Sequence, residues 1–485
     1  MDVLAECYLE IISQYVRRRL LSILLRLLSM LSISECALAG RLFNQGDAYV
    51  GRPVVLSVLE QPALSHRWRF KQPATQVIPE GGYAMFIIRV PDRTRCEPIQ
   101  TYWDGARAWV MLPVELDQGS DEEALAGRYY DALLPVNSES CQVSGLRLLE
   151  WKPNKEGNYT ARIDGQSLKF NITFKGVFTG SHQSFYVGLN PSSLLKGHCR
   201  IYCKKEVELT QKYQRLLRDH HITPIQSWIR FPPVVDGRLN LNAFRDKGYS
   251  FNQVTPEVND EMQKVIFPRY SHYPDAIGYL KALEVTISET YLQGRAWVYV
   301  DDEPSDFPAL IEELKLYRQY APSVKTMVTT AYRADLAPWV DIFSPQLSLW
   351  HANEQGYTGK EVWPYPSCMR SCGPNRLYKP NAVKSPGPAA HVTDLLIDRS
   401  YKQLASFFES VAQTNSEGGL YYHAVEGYPL MRNHIDLFKD PWNFGGNGDG
   451  LLVYPGVPGR FGLTEHEALP SLRLKFIRHA IEQYW

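Results

Sequence analysis

From Gly40 to about Val177, apolar positions come in short alternating or β-branched runs broken by Gly, Pro, Asn and Asp. Val54 to Val58, Tyr83 to Val90, Ala108 to Leu112 and Leu168 to Phe174 are of this kind. A period of two turns one face of each run to a core, so strands separated by turns predict a β-sandwich over residues 40–180. After Gly180 the rhythm changes to strand followed by helix. Ser184 to Leu189 reads as a strand, and Val207 to Arg218 as a helix with Leu209, Tyr213, Leu216 and Leu217 on one face. Further strands are predicted at Ile222 to Phe231, Ala296 to Val300, Lys325 to Thr330, Val340 to Phe343, Glu361 to Tyr365, Gly419 to His423 and Gly450 to Tyr454. Helices are predicted around Tyr279 to Tyr291, Pro308 to Tyr320 and Glu465 to Tyr484. Such alternation means parallel strands with crossover helices, and about eight units in roughly 300 residues fit a (β/α)8 barrel over residues 181–485. No Gly-rich dinucleotide fingerprint follows any strand, which disfavours a doubly wound sheet.

The N-terminal residues 1–39 have a different pattern. Arg17, Arg18 and Arg19 precede an apolar stretch from Leu20 to Ile33, and Ala37-Leu38-Ala39 follows. Basic, apolar, then small is the order of a secretory signal, so the chain is expected to be exported, periplasmic or extracellular. The rival is an amphipathic surface helix, because Arg26 interrupts a stretch that would need about 20 apolar residues to span a bilayer. No later segment is apolar enough to span one. Cleavage after Ala39 leaves six cysteines. An even number in an exported chain favours disulfides, with Cys199–Cys203 and Cys368–Cys372 as local bridges and Cys96 left for Cys141. A zinc site using Cys199, Cys203 and His198 is the alternative, although the spacing matches no standard structural pattern.

Charge narrows the partners. Lys plus Arg, at 52, equals Asp plus Glu, also 52, so no net field draws the chain to nucleic acid or an anionic membrane. The 11 Trp, 29 Tyr and 19 Phe suit a ligand that offers both apolar faces and hydroxyls, sugars among them, and equally suit a well-filled core.

Barrels place their chemistry where strands end at their C-termini. There Trp297-Val298-Tyr299-Val300 runs into Asp301-Asp302-Glu303-Pro304, three acids at one strand end. Crowded like charges favour a proton on one of them, which is what a general acid requires. The competing reading is that these acids complement the dipole of the helix beginning near Pro308. His220, His221 and His351 lack metal-ligand spacing, so neither metal nor cofactor is expected.

Five stretches in order are more specific. They are Tyr299-Val300-Asp301-Asp302-Glu303-Pro304, Gly359-Lys360-Glu361-Val362-Trp363-Pro364-Tyr365, Gly418-Gly419-Leu420-Tyr421-Tyr422, Asp440-Pro441-Trp442 with Gly446-Asn447-Gly448-Asp449-Gly450, and Tyr454-Pro455-Gly456. Together they resemble the barrel of glycoside hydrolase family 123 and the related barrels of domain of unknown function 4091. That resemblance covers roughly residues 180 to 485, and the family also carries a β-sandwich before the barrel. It implies a β-N-acetylgalactosaminidase whose adjacent Asp-Glu pair falls here on Asp302 and Glu303. The family's Tyr-Trp pair is replaced by Tyr421-Tyr422-His423, and its Arg-Asp-Gly by Arg478-His479-Ala480, departures that bear on the sugar more than on the reaction class.

An adjacent pair straddles a sugar poorly, which favours attack by the substrate's own 2-acetamido oxygen over a protein nucleophile. Asp302 would then orient the acetamido N–H, and Glu303 would protonate the leaving oxygen and later activate water. Trp442, Tyr365, Tyr422 and Trp350 are candidate sugar platforms, and Asn447 and Asp449 candidate hydroxyl ligands, each with core packing or turn formation as the alternative. The expected partner is an oligosaccharide or glycoconjugate. Two rivals stay open, a glycosidase of other specificity using a second carboxylate and a catalytically silent glycan-binding barrel.

Overall fold

The computed structural model describes residues 54–485 apart from 71–72, 92–95, 118, 121–124, 181–182, 200–205, 226–231, 242–264, 291, 352, 368–393, 415, 434 and 444–445. The predicted signal segment and the Cys368–Cys372 pair lie outside the described residues, as does Cys203. Cys96 and Cys141 are joined, as expected, and Cys199 is also disulfide-bonded. No described helix is long and apolar enough to cross a membrane.

The N-terminal part is two sheets around one core. Strands β1 (Val54–Ser57), β3 (Ala84–Arg89), β4 (Arg107–Leu116), β5 (Gly127–Pro135) and β6 (Leu146–Trp151) form an antiparallel sheet ordered β1-β3-β6-β4-β5. Strands β2 (Ala74–Glu80), β7 (Gly157–Ile163) and β8 (Gln166–Val177) form the second, in which β2 runs parallel to β8. Alternation sorts the residues: Val55, Phe86, Ile88 and Trp151 of the first sheet pack with Ile78, Phe170 and Ile172 of the second. A free-standing sandwich would leave its outer faces to water. Here Leu56, Met85, Ile87 and Leu148, on the opposite face of the larger sheet, are buried in a second core that also takes Leu474, Ile477 and Ile481 of the C-terminal helix.

The remainder is mixed α/β. Strands β9 (Ser184–Gly188) and β10 (Ile222–Ile225) pair in parallel, a short hairpin β11 (Val234–Val235) and β12 (Arg238–Leu239) follows, and β13 (Val265–Phe267), β14 (Ala296–Asp302), β15 (Lys325–Thr329), β16 (Ile342–Phe343) and β17 (Glu361–Val362) form a parallel sheet in chain order. Strand β18 (Gly418–Tyr421) pairs in parallel with β9, and the Leu420 N–H donates to the Pro364 carbonyl at 3.1 Å, linking the two sheets beyond the end of β17. The described pairings therefore run β10-β9-β18-β17-β16-β15-β14-β13, with no backbone pairing between β10 and β13 among the described residues. One apolar cluster takes a residue from each strand or its end: Tyr186, Ile225, Ile266, Trp297, Met327, Ile342, Trp363 and Leu420. Tyr186 stacks on Trp363 at 4.2 Å, and Trp297 meets Trp363 edge-on at 5.0 Å, so rings from β9, β14 and the end of β17 converge in one interior. The crossover helices are α1 (Pro191–His198), α2 (Glu206–Arg218), α3 (Ala276–Ser288), α4 (Phe307–Tyr320) and α5 (Tyr401–Ala412), before the closing α6 (Leu472–Tyr484). Asn190, Asp275, Asp306 and Ser400 cap α1, α3, α4 and α5, each accepting a backbone N–H of the first turn.

One expectation is corrected, and one unpredicted strand joins the series. The strand predicted at Gly450 to Tyr454 is Val453–Gly456, which pairs antiparallel with Glu467–Pro470 and is no part of the parallel series. Its place in that series is taken by β13, three residues long and too short to show a period.

Helix α6 carries cations into the interior. Lys475 and Arg478, 1% and 3% exposed, reach Glu150 of β6 at 2.7 and 2.6 Å, and Trp109 Nε1 donates to the same carboxylate at 3.0 Å. Burial alone would push the Glu150 carboxyl up, but Lys475 and then Arg478 outweigh it and hold the carboxyl well below its ordinary range. Because the folded pKa is depressed, this contribution is fully present above the unfolded value near 4.3 and is lost as pH falls through the folded value. Replacing Glu150 by Gln strands two buried cations. Glu150→Gln should therefore destabilise by about 3–5 kcal/mol in urea unfolding at pH 7, and the deficit should shrink on acidification below about pH 4. A deficit independent of pH would refute this account.

Candidate active site

The three acids at the end of β14 do not lie on one face. Along β14, Trp297 and Tyr299 point to the inner cluster, while Val298 and Val300 point to the outer core. Continued alternation would turn Asp302 outwards. The register against β15 instead slips by one residue between Tyr299 and Asp301, leaving Val300 as the extra residue of a β-bulge. The slip returns Asp302 to the side of Tyr299, whose hydroxyl donates to Asp302 Oδ1 at 2.6 Å. Asp301 turns instead toward Arg269, 3.6 Å away at the end of β13, and Arg269 is held in turn by both oxygens of Glu313 on α4. The crowding expected of adjacent acids is thereby relieved, since Asp301 faces a guanidinium.

Glu303 follows with φ +47°, the left-handed region, at a cost on the order of 1 kcal/mol for a residue with a Cβ. Thr329, at the end of β15, holds it there. The Glu303 N–H donates to both the Thr329 carbonyl at 3.1 Å and Thr329 Oγ1 at 2.9 Å. The left-handed turn sends the side chain away from Asp302's partners and towards Tyr365, whose hydroxyl donates to Glu303 Oε1 at 2.7 Å. Tyr365 lies just past β17 and so spans from that strand's end to the end of β14. Burial, the hydrogen bond to Glu303 and the nearby carboxylates of Glu303 and Asp302 push its phenol far above the usual range, so it stays a neutral donor. Tyr299 is held neutral in the same way by burial and Asp302.

Each acid thus has one oxygen committed. Oδ1 of Asp302 takes hydroxyls from Tyr299 and from Thr329, the latter at 2.7 Å, and Oε1 of Glu303 takes that of Tyr365. Oδ2 and Oε2 have no protein partner among the described residues, and both side chains are exposed. The arrangement leaves one oxygen of each carboxyl open to solvent while the other is held by hydroxyl donors.

The other predicted contacts separate. Tyr365 joins the pair, as partner to Glu303. Trp350 and Trp442 are each 4% exposed and packed. Asn447 is buried, donating from Nδ2 to Asp398 at 2.9 Å, while its N–H donates to Ser120 Oγ at 2.8 Å, a structural tie in place of the expected sugar contact. Tyr422 is 37% exposed, yet its hydroxyl is hydrogen-bonded to Asp449 and lies where a Cβ on Gly450 would collide with it. Asp449 is buried and also accepts from Tyr421 at 3.1 Å. Among the described residues no group of three His, Cys, Asp or Glu could hold a metal. Sequence reasoning missed Thr329 and Tyr299. The available signal was position: both are hydroxyls within three residues of the C-terminal ends of neighbouring strands.

Burial, and then the neighbouring charge of Asp394, pushes the Asp449 carboxyl up to about 7 against the hydrogen bond from Tyr421. An acid raised above its unfolded value near 3.9 keeps in the folded state a proton that the unfolded chain releases, so stability falls as pH rises from about 4 to 7. Asp449→Asn should flatten that part of the profile, read as the urea midpoint between pH 5 and pH 8. Parallel profiles for the variant and the wild type would sink the assignment.

No family model matches the chain, and no curated protein matches it either. Among solved structures, Bacteroides uniformis beta-glucuronidase 2, covalently bound to cyclophellitol-6-carboxylate aziridine, aligns with a TM-score of 0.28 and 10% identity over 78% of this chain and 47% of that one. The chain spans about half the length of that structure. A likeness this slight says nothing of the sugar or the chemistry, and the functional reading rests on the residues.

Proposed function

We propose that the protein is a glycoside hydrolase that cleaves a β-linked N-acetylhexosamine, N-acetylgalactosamine by its resemblance to family 123, through participation of the substrate's 2-acetamido group. The observation that carries this is the adjacent pair with Oδ2 of Asp302 and Oε2 of Glu303 both open to a ligand. In this reading the eight parallel strands close as a (β/α)8 barrel, the N-terminal sheets are its sandwich companion, and the Arg17 to Ala39 segment exports the chain. The ligand is an oligosaccharide or glycoconjugate, and the reaction needs no cofactor.

The steps follow from the hydrogen bonds. Asp302 is fixed at Oδ1 by two donors, so Oδ2 accepts from the acetamido N–H and turns the acetamido oxygen towards the anomeric carbon. That oxygen attacks, the glycosidic C–O bond breaks, and the leaving oxygen takes a proton from Glu303. Oε1 of Glu303 already accepts from Tyr365, which leaves Oε2 as the oxygen that carries this proton. The resulting carboxylate then takes a proton from water as it opens the cyclic intermediate, and the configuration is retained.

Turnover of aryl 2-acetamido glycosides tests this. Glu303→Gln should slow substrates with poor leaving groups by roughly 10²- to 10⁴-fold and activated ones much less, since those leave without a proton. Asp302→Asn should slow both by about 10²- to 10³-fold, as for loss of one preorganised electrostatic partner. A thiazoline mimic of the cyclic intermediate should inhibit. Turnover of sugars lacking the 2-acetamido group with no thiazoline inhibition would replace this mechanism by one with a second carboxylate. Glycan binding without any turnover would leave a binding protein.

A further inference from the structure

We propose that Thr329 is the positioning residue that sets Asp302 and Glu303 in one working geometry; this rests on the glycosidase reading above. Thr329 is 3% exposed, and its side-chain oxygen stands between the two acids: 2.7 Å from Asp302 Oδ1, 2.9 Å from the Glu303 nitrogen and 3.0 Å from the Tyr299 hydroxyl. A threonine hydroxyl has one proton, and Asp302 Oδ1 is its nearest acceptor; its lone pairs face the Glu303 N–H. The same atom therefore donates to one acid and accepts from the backbone of the other. The fold alone does not require this. The Glu303 N–H already has the Thr329 carbonyl at 3.1 Å, which suffices to close the strand end. What the hydroxyl adds is direction: it pins Oδ1 and so presents Oδ2, and it holds the left-handed turn that aims Glu303 at Tyr365. Buried and already paired, it acts on the substrate only through Asp302 and Glu303.

Thr329→Val keeps the size and β-branching and removes only the hydroxyl. On aryl 2-acetamido glycosides it should lower kcat by about 10²-fold for poor leaving groups, the scale of a small misplacement of reacting groups, and by less for activated ones, which lose only the part acting through Asp302, with KM little changed. Thr329→Ser should restore most of the rate. In the double variant Asp302→Asn with Thr329→Val, the added loss over Asp302→Asn alone should be smaller than the loss Thr329→Val causes in the wild type, because only the part that acts through Glu303 remains. Tyr299→Phe, which removes the other donor to Oδ1, provides a second arm should the valine variant fail to fold by thermal melting, and should likewise slow both substrate classes. The proposal is overturned by a folded Thr329→Val within a few-fold of wild type, by a serine variant as slow as the valine one, or by a double variant showing the full product of the two losses. A wild type inert on every aryl glycoside sinks the glycosidase reading and this proposal with it, whereas an active wild type with an unaffected valine variant sinks this proposal alone.

Discussion

A guanidinium buried far from water has to find acceptors for its fixed fork of donors, and the placement of Arg473 imposes that demand on three separate parts of the chain. It meets Asp131 of β5 bidentately at 3.0 and 2.8 Å, and it donates to the carbonyls of Leu395, Gly448 and Leu451. The N-terminal sheet, the segment before α5 and the Gly-rich loop are thereby fixed to the closing helix. Gly448 sits at φ +79°, and a Cβ there would stand 2.8 Å from the guanidinium and from Ile397. Glycine at this position is explained by close approach to a cation inside the protein, with no ligand needed.

The same contrast between committed and open groups runs through the acids. Glu150 faces two buried cations, and Asp131 and Asp394 one each, so ion pairing occupies all three. Asp449 faces two tyrosine hydroxyls and keeps its proton up to about pH 7. Asp302 and Glu303 differ from all of these. They meet neutral hydroxyls on one oxygen and solvent on the other, which orients a carboxyl without neutralising it. Orientation with residual capacity is what binding or proton transfer requires.

How much of this was legible depends on what sets each feature. The helices over Glu206–Arg218 and Phe307–Tyr320 and the strand Ala296–Asp302 were readable, because the period of their apolar positions is written in the chain. The run Leu451-Leu452-Val453-Tyr454 misled, since an apolar stretch buried on all sides looks alike in a parallel series and in an antiparallel pair. The acids at the end of β14 were found from their position after a strand. Their division of labour was not legible, because it follows from the bulge at Val300 and the positive φ of Glu303, neither of which has a composition signature. Trp350 and Trp442 could equally have been platforms or core, and only tertiary packing decides that. Thr329 escaped because a threonine ending a strand is unremarkable until the neighbouring strand is known.

Under the proposed glycosidase reading, the bulge also bears on which chemistry the site would support. Two carboxyls on opposite sides of a scissile bond come most readily from different strands, each with its own origin and reach. Here both come from one strand end, and the extra residue at Val300, followed by the left-handed turn at Glu303, splits their directions: Asp302 is held from within by Tyr299, while Glu303 is drawn to Tyr365 from across the strand ends. Neighbours arranged in this way contact adjoining groups of one sugar more easily than they flank it. On the proposed reading, Asp302 would direct a nucleophile that the substrate itself brings, since a 2-acetamido group has both the N–H to be held and the oxygen to attack. A sugar with a 2-hydroxyl could still donate to Oδ2, but it would place no carbonyl oxygen against the anomeric carbon. The geometry of the pair, more than the aromatic count, is what ties the proposed reaction to N-acetylated substrates.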